Sequence, residues 1–444
     1  MTYAPHVHDQ MADRARPGRP MVVVALIFLT VGLTVLISAY VLDAHGIPYG
    51  IAGGNPLFKI HPMTYCGLIT LAAATLSNPD PVGYIKHKIE RFPGTSYFLV
   101  ILVLMVVWTA VIQRQPLTAL IDTFLSAILL VYLISDLTPR QHRFLTNCIH
   151  VIMCANALLG MAEVATGWRL TPLLVSGTEL TWDWRASAFF GHPLENAMIT
   201  GLYTLMLAFG ADARLPLPAR LAIIALECAS QVAFGGRTAM SISFAILGLR
   251  ALAVFIGVLR GDRFDPRLAA AILMVMPLSI GALLVAYDAG LFDRLIERFT
   301  NDSGSAATRI SLLRIFFSFP LTDLLVAPPP DLLAENVYLE GTDAGIESFE
   351  FGFFLQYGLL ISLSFFCGLA GMTFDLWRIG GRWALLHIFY FYLVASGAAS
   401  LSVKGQTLAQ FTVLFMTIEA VPSLADWRRR RTERGESLNR SQIK

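Results

Sequence analysis

Apolar stretches of roughly twenty residues recur along the whole chain, separated by short polar turns. They fall at about 21–42, 61–78, 95–112, 117–135, 144–166, 193–211, 219–235, 239–259, 268–287, 347–369, 383–400 and 406–422. A lipid core offers no water to backbone N–H and C=O groups, so each stretch must satisfy them within a helix. The pattern predicts an all-α integral membrane protein of about twelve transmembrane helices. One interval is different. Residues 288–346 are of mixed polarity and far longer than any other connection. Inside them LFDRLIERF places Leu291, Leu295, Ile296 and Phe299 at helical spacing, which predicts a short amphipathic helix lying in the interface. Arg294 and Arg298, four apart, share its polar face. After the turn NDSGS, Ser305 is placed to cap a second helix carrying Arg309 and Arg314, which PPP at 328–330 ends.

The organisation is therefore a polar tail (1–20), nine helices (21–287), the long loop (288–346), three helices (347–422) and a basic tail (423–444). Composition agrees. Of 444 residues, 55% are hydrophobic and 14% charged, against about 25% charged in soluble domains. The net charge of +2 says little, but its placement does. With the N-terminus inside, alternate turns carry Lys86, Lys88 and Arg91, then Arg140 and Arg143, Arg214 and Arg220, Arg260 and Arg263, and Arg378 and Arg382. The positive-inside rule then puts both termini in the cytoplasm and the long loop outside. The first apolar run is full length, unlike a cleaved signal peptide. The basic tail suits the anionic inner leaflet, not nucleic acid. The five cysteines sit in apolar runs without metal-ligand spacing, and neither a nucleotide-binding motif nor a metal motif is present. No metal and no cofactor are expected.

Several outward residues break the charge rule. Arg185 lies in TWDWRASAFFGHPLENA, Arg237 in the tight turn FGGRTAM, and Arg309 in SGSAATRISLLR. Glu347 and Glu350 open the tenth apolar stretch, and His192 and Glu195 the sixth. Guanidinium groups converging on one face would suit a phosphate-bearing ligand. Within the membrane, Glu227 and Arg250 are read as a pair across adjacent helices, and Glu163 as reaching the interface.

Four segments resemble the O-antigen ligase/polymerase superfamily, which includes Wzy-type polysaccharide polymerases. RASAFFGHPLENAM resembles its arginine–glycine–proline–asparagine entry to a helix, through Arg185, Gly191, Pro193 and Asn196. FGGRTAM resembles its arginine turn, GSAATRISLLR the arginine segment of its periplasmic loop, and ESFEFGFFLQYGLLISL the start of its next helix. The likeness covers roughly 180–370. The family's histidine aligns with Glu347, its asparagine with Ser348 and its glutamate with Gln356. A missing histidine favours polymerase over ligase, with Glu347 able to serve as base. The resemblance implies a metal-independent, inverting glycosyltransferase of the bacterial inner membrane. Its donor would be an undecaprenyl-pyrophosphate-linked oligosaccharide, and its product an exopolysaccharide. Arg185, Arg309 and then Arg237 would bind pyrophosphate. Glu347 and then Glu350 would be the base. Arg294, Arg298, Arg314, His192 and Glu195 are secondary candidates. Membrane lipid, a chain-length regulator and export proteins are expected partners. A ligase of the same superfamily, or a twelve-span secondary transporter or flippase, would also fit the helix pattern.

Overall fold

The computed structural model describes residues 20–50, 55–113, 117–175, 178–180, 183–261, 305–341, 348–397 and 401–420, with isolated positions between 266 and 296. Among them the apolar stretches fold as helices: α1 (Met21–Leu36), α2 (Ala39–Ala44), α3 (Pro62–Leu76), α4 (Pro81–Arg91) and α5 (Pro93–Trp108, continued by a wider turn to Gln113). There follow α6 (Thr118–Ile134), α7 (Pro139–Thr166), α8 (Pro193–Ala208), α9 (Leu217–Phe234) and α10 (Arg237–Leu259). The long loop contains α11 (Ser305–Ser318), α12 (Leu321–Val326) and α13 (Pro330–Leu339), and the chain closes with α14 (Phe349–Tyr357), α15 (Leu359–Ile379), α16 (Ala384–Ser396) and α17 (Thr407–Glu419). A two-residue antiparallel pair, Leu174–Val175 with Thr178–Glu179, closes a turn between α7 and α8. Five helices are long and apolar enough to cross a membrane, and five shorter ones are apolar. The ninth stretch (268–287) lies largely outside the described residues, as do the terminal tails.

Helices α6, α8 and α17 form the centre. Every residue from Ser126 to Ile134 is buried, and so is all of Thr407–Leu414. Around them α5, α10 and α15 turn apolar side chains outward, for example Val103, Leu252 and Leu363. This is the character of a membrane protein: apolar outside as well as inside, so periodicity carries little signal. Buried hydroxyls are spent locally. Thr34, Thr146, Thr204 and Thr417 each donate to a carbonyl one turn back, which keeps the polar groups away from lipid.

The closest crossing joins α5 to α15. A methyl on Gly94 would lie 2.0 Å from the Gly371 carbonyl oxygen, and one on Gly368 would lie 2.8 Å from the Phe98 ring. Next to it the Thr95 N–H (2.7 Å) and hydroxyl (3.0 Å) donate to Asp375. Only small residues let two helices approach this far. Gly94→Val is therefore expected to force the pair apart and lower the melting temperature in detergent. Unchanged melting would show that the crossing is not tight.

The tenth stretch, expected as one helix over 347–369, is two. Gly358 sits at φ +82°, and a Cβ there would meet Ala327 N at 2.5 Å. Any other residue would be both strained and blocked. The chain reverses at this glycine. Phe349 stacks edge-on with Phe366 at 5.4 Å, Phe353 packs on Phe365 at 4.6 Å, and the Ser362 hydroxyl donates to the Phe353 carbonyl. So α14 folds back along the first half of α15. Glu350 opens this short return helix, not a membrane span.

Antiparallel succession gathers the connections at two ends. One end carries Lys88, Arg91, Asp136, Asp212, Arg214, Asp375 and Glu419. Cross-links there include Arg91 to the Ser135 carbonyl (3.3 Å) and His142 to the Met416 carbonyl (2.8 Å). The opposite end carries Tyr49, His61, Asp122, Glu163, Arg185, His192 and Lys404. It is tied by Gln113 to the Gln356 carbonyl (3.0 Å) and Lys404 to the Tyr49 carbonyl (2.9 Å).

Candidate functional site

The segment that carries Arg185 is held because three side chains from the helices beneath pair with its backbone N–H and C=O groups. Glu163, near the C-terminus of α7 and 2% exposed, accepts from Leu170 N with one oxygen (2.9 Å). Its other oxygen accepts from Ser187 N (2.8 Å) and Ala188 N (3.0 Å). Asn156 accepts from Phe189 N at 3.0 Å, and Asn196 donates to the carbonyls of Ser187 and His192. Glu163 thus clamps a loop; it does not reach the interface as expected. The glycine of the motif has its own reason. Gly191 adopts φ +75°, and a Cβ would lie 2.3 Å from the Ser38 hydroxyl, so the loop packs directly on the start of α2.

On this cradle Arg185 is held by Asp183. Its Nε donates to both carboxylate oxygens (3.0 and 2.9 Å) and its Nη2 to one (2.5 Å). Asp183 is itself buried, and the pairing leaves the Nη1 donors for a ligand. The Arg185 stem lies against Gly235, 3.0 Å from the position of a Cβ, and Ala186 N donates to the Ala233 carbonyl. Hence the backbone of the FGGR turn, two residues before Arg237, adjoins Arg185.

His192 caps α8, its Nδ1 accepting from Leu194 N at 3.2 Å, and its ring stacks on Tyr40 at 5.8 Å. Burial, and next the Arg185 charge, push it down to about 4. It is therefore neutral at pH 7, and with Nδ1 accepting, the proton resides on Nε2. His192 is a hydrogen-bond donor here, not a base. One turn on, Glu195 sits beside Thr407 and acts electrostatically on Tyr40 and Tyr49.

Two residues that sequence reasoning passed over complete this end. Asp122, fully buried in the widened first turns of α6, accepts from the Tyr49 hydroxyl (2.9 Å), Thr64 hydroxyl (2.8 Å) and His61 N (3.0 Å). Lys404, in the loop before α17, lies 3.3 Å from the centre of the Tyr49 ring and 3.9 Å from Asp122. Burial pushes Lys404 down to about 8, with Asp122 resisting and Lys59 adding to the fall. Lys404 stands at the same end of the bundle as Arg185, away from the basic turns, and the charge rule that singles out Arg185 could have found it too. His61, Gln406 and Thr407 are buried here beside the Ile37 backbone, Tyr49 and Glu195, but among the described residues His61 Nε2, Gln406 Nε2 and the Thr407 hydroxyl make no well-aligned hydrogen bond.

The remaining candidates fall elsewhere. Glu350 accepts from the hydroxyls of Ser348 and Ser396 and lines an open, mainly apolar cleft of about 420 Å³ between α14, α15 and α16, with Phe366, Thr373 and Tyr392. Arg314 is exposed and 3.7 Å from Glu340. Arg309 lies within α11, but its side chain is outside what the structure describes; Arg294, Arg298 and Glu347 lie outside the described residues altogether. Glu227 and Arg250 do not pair. With α9 and α10 joined by a two-residue turn, they stand about 9 Å apart in depth at 1.5 Å per residue. Arg250 lies over the Phe209 ring at 5.5 Å instead. Among the described residues no group of three or more His, Cys, Asp or Glu could hold a metal ion. No protein-family model matches the chain, and neither does any curated protein or solved structure.

Proposed function

We propose that the protein is a polysaccharide polymerase of the bacterial inner membrane, with twelve spans and both termini in the cytoplasm. It would transfer a growing glycan from a polyprenyl-pyrophosphate carrier to a lipid-linked repeat unit at the periplasmic face. The observation that carries this reading is the cluster built on Arg185. A fixed guanidinium, the adjoining Arg237 turn, a neutral donor histidine and Glu195 share one end of the bundle with Lys404. An inverting transfer breaks the bond between the anomeric carbon and pyrophosphate while the acceptor hydroxyl attacks from the other side. Charge grows on the leaving diphosphate, and preorganised cations stabilise it without a metal. The acceptor proton needs a carboxylate. Glu195 opens α8 one turn after His192, at the same end of the bundle as Arg185, whereas Glu350 is bonded to two serines in a separate apolar cleft, so Glu195 is the better-placed base among the described residues. The α14–α16 cleft suits the polyprenyl chain.

The experiment is polymer length from purified lipid-linked repeat unit. Arg185→Ala is expected to lower the rate about 100- to 1,000-fold, with melting temperature nearly unchanged. Arg185→Lys restores little, because an ammonium cannot hold Asp183 and a phosphate in one plane. Wild-type chain lengths from folded Arg185→Ala would sink the reading. Accumulation of long lipid-linked glycan in a deletion strain would mark a ligase instead.

Lys404 supplies a pH test. Its folded value of about 8 lies below the ordinary lysine value of about 10.4, so the native state sheds this proton first. Stability should therefore rise as pH climbs from about 8 towards the unfolded value. Inorganic pyrophosphate binding should weaken over the same rise, and Lys404→Gln should flatten both curves. Equal pH profiles for the two proteins would remove Lys404 from the site.

A further inference from the structure

Halfway along α9, Glu227 is fully buried, and among the described residues neither carboxylate oxygen has a hydrogen-bond partner. No cation among the described residues offsets it, since Arg250 is engaged with Phe209. The groups facing it are Tyr203 of α8 and Cys154 of α7, with Cys228 beside it on α9 itself. One turn further out, Gln231 accepts from Ser243 of α10. A bare carboxylate in such surroundings is among the costliest arrangements a fold can hold. It persists where something outside the polypeptide, such as a proton, joins it.

A hydrogen-bonded chain begins at the neighbouring Tyr203 and leads to the lysine- and arginine-rich end. The Tyr203 hydroxyl lies 2.7 Å from His150 Nδ1, and His150 Nε2 lies 3.1 Å from Asp212. Asp212 is fixed by Arg214 (2.5 Å) and lies in the loop after α8. Burial works against its charge, but the bonds from His150 and Arg214 hold its carboxyl well below the usual range. An ionised Asp212 sets the imidazole tautomer with Nε2–H towards itself and Nδ1 open to the tyrosine.

We propose that Glu227 is a proton-binding site inside the bundle, loaded and unloaded from the Asp212 end through Tyr203 and His150. No hydrogen bond joins Glu227 to Tyr203 at rest, so in unloading the Glu227 carboxyl first swings to the Tyr203 oxygen and then gives it the proton as the Tyr203 proton passes to His150 Nδ1. The imidazolium formed is paired with Asp212, and its Nε2 proton leaves to water at that end. One proton has moved; Tyr203 and Asp212 return to their starting states, while His150 is left with its proton on Nδ1 and must turn back to the Nε2–H form before the next transfer. Loading is the reverse. The proposal does not depend on the glycan reading, because it invokes none of that site's residues.

The test is infrared spectroscopy of the purified protein in lipid nanodiscs at neutral pH. Wild type is expected to show a protonated-carboxyl C=O band that Glu227→Gln removes and Glu227→Asp retains. On transfer to D2O the band should shift, several-fold more slowly in Tyr203→Phe and in His150→Gln. Tyr203→Phe removes a single oxygen and keeps the ring packing, so slower exchange there reports the relay and not a loosened core. Absence of a Glu227-dependent band at neutral pH would overturn the proton site. Unaltered exchange in both relay variants would overturn the route.

Discussion

Glu163→Ala is expected to be among the most destabilising single substitutions in this protein, and to remove activity with it. Three backbone donors, those of Leu170, Ser187 and Ala188, converge on this one buried carboxylate. Truncation leaves all three without an acceptor, at about 1–3 kcal/mol each. The segment 170–191 would come loose from α7 and take Arg185 with it. A large fall in melting temperature and new proteolytic cuts within 168–191 are the readouts. Glu163→Gln keeps one acceptor but turns an NH₂ towards a backbone N–H, so it should fall between. Arg185→Ala, by contrast, should lose the proposed transfer while keeping more stability, because the Asp183 carboxylate keeps the Arg185 backbone N–H, which the substitution leaves in place. If Glu163→Ala melts like wild type, the clamp does not hold the loop.

The second large effect belongs to the opposite end. Lys88, 2% exposed, donates to Asp136 at 2.7 Å and to Ser135 at 2.8 Å, and the Tyr84 hydroxyl donates to Asp136 at 2.7 Å. Asp136→Ala strands a buried ammonium and should cost about 3–5 kcal/mol. Lys88→Met should cost less, since a flexible apolar chain fills the same space. Adding Lys88→Met to Asp136→Ala should recover most of the loss, because a fully apolar replacement leaves no unpaired charge. A double variant as unstable as Asp136→Ala alone would show that the damage is packing, not charge.

The two ends differ in how far the sequence announces them. The basic turns at 86–91, 140–143, 214–220 and 378–382 are visible as clusters, and the fold gathers them at one end. Arg185 and the Arg237 turn were visible as exceptions to that rule, and the fold packs the Arg185 stem on Gly235 of that turn. Asp122 and Lys404 escaped notice because each is a single charge at the edge of an apolar stretch. Their meaning lies in meeting Tyr49 from opposite ends of the chain. Glu227 and Arg250 misled for a related reason. Opposite charges on neighbouring helices invite pairing, but depth along the helix decides it.

What the chain determines by itself is the succession of helices and the ends on which their charges collect. Both depend on residue type and spacing alone, since an apolar stretch of this length can satisfy its backbone only as helix. Tertiary structure decided the reversal at Gly358, the clamp at Glu163 and the isolation of Glu227. In ESFEFGFFLQYGLLISL every face is apolar, so nothing local separates one helix from two. The break exists because residues 325–327 occupy the space a side chain on Gly358 would need. Contacts between segments distant in the chain set these features, and hydropathy carries no record of them.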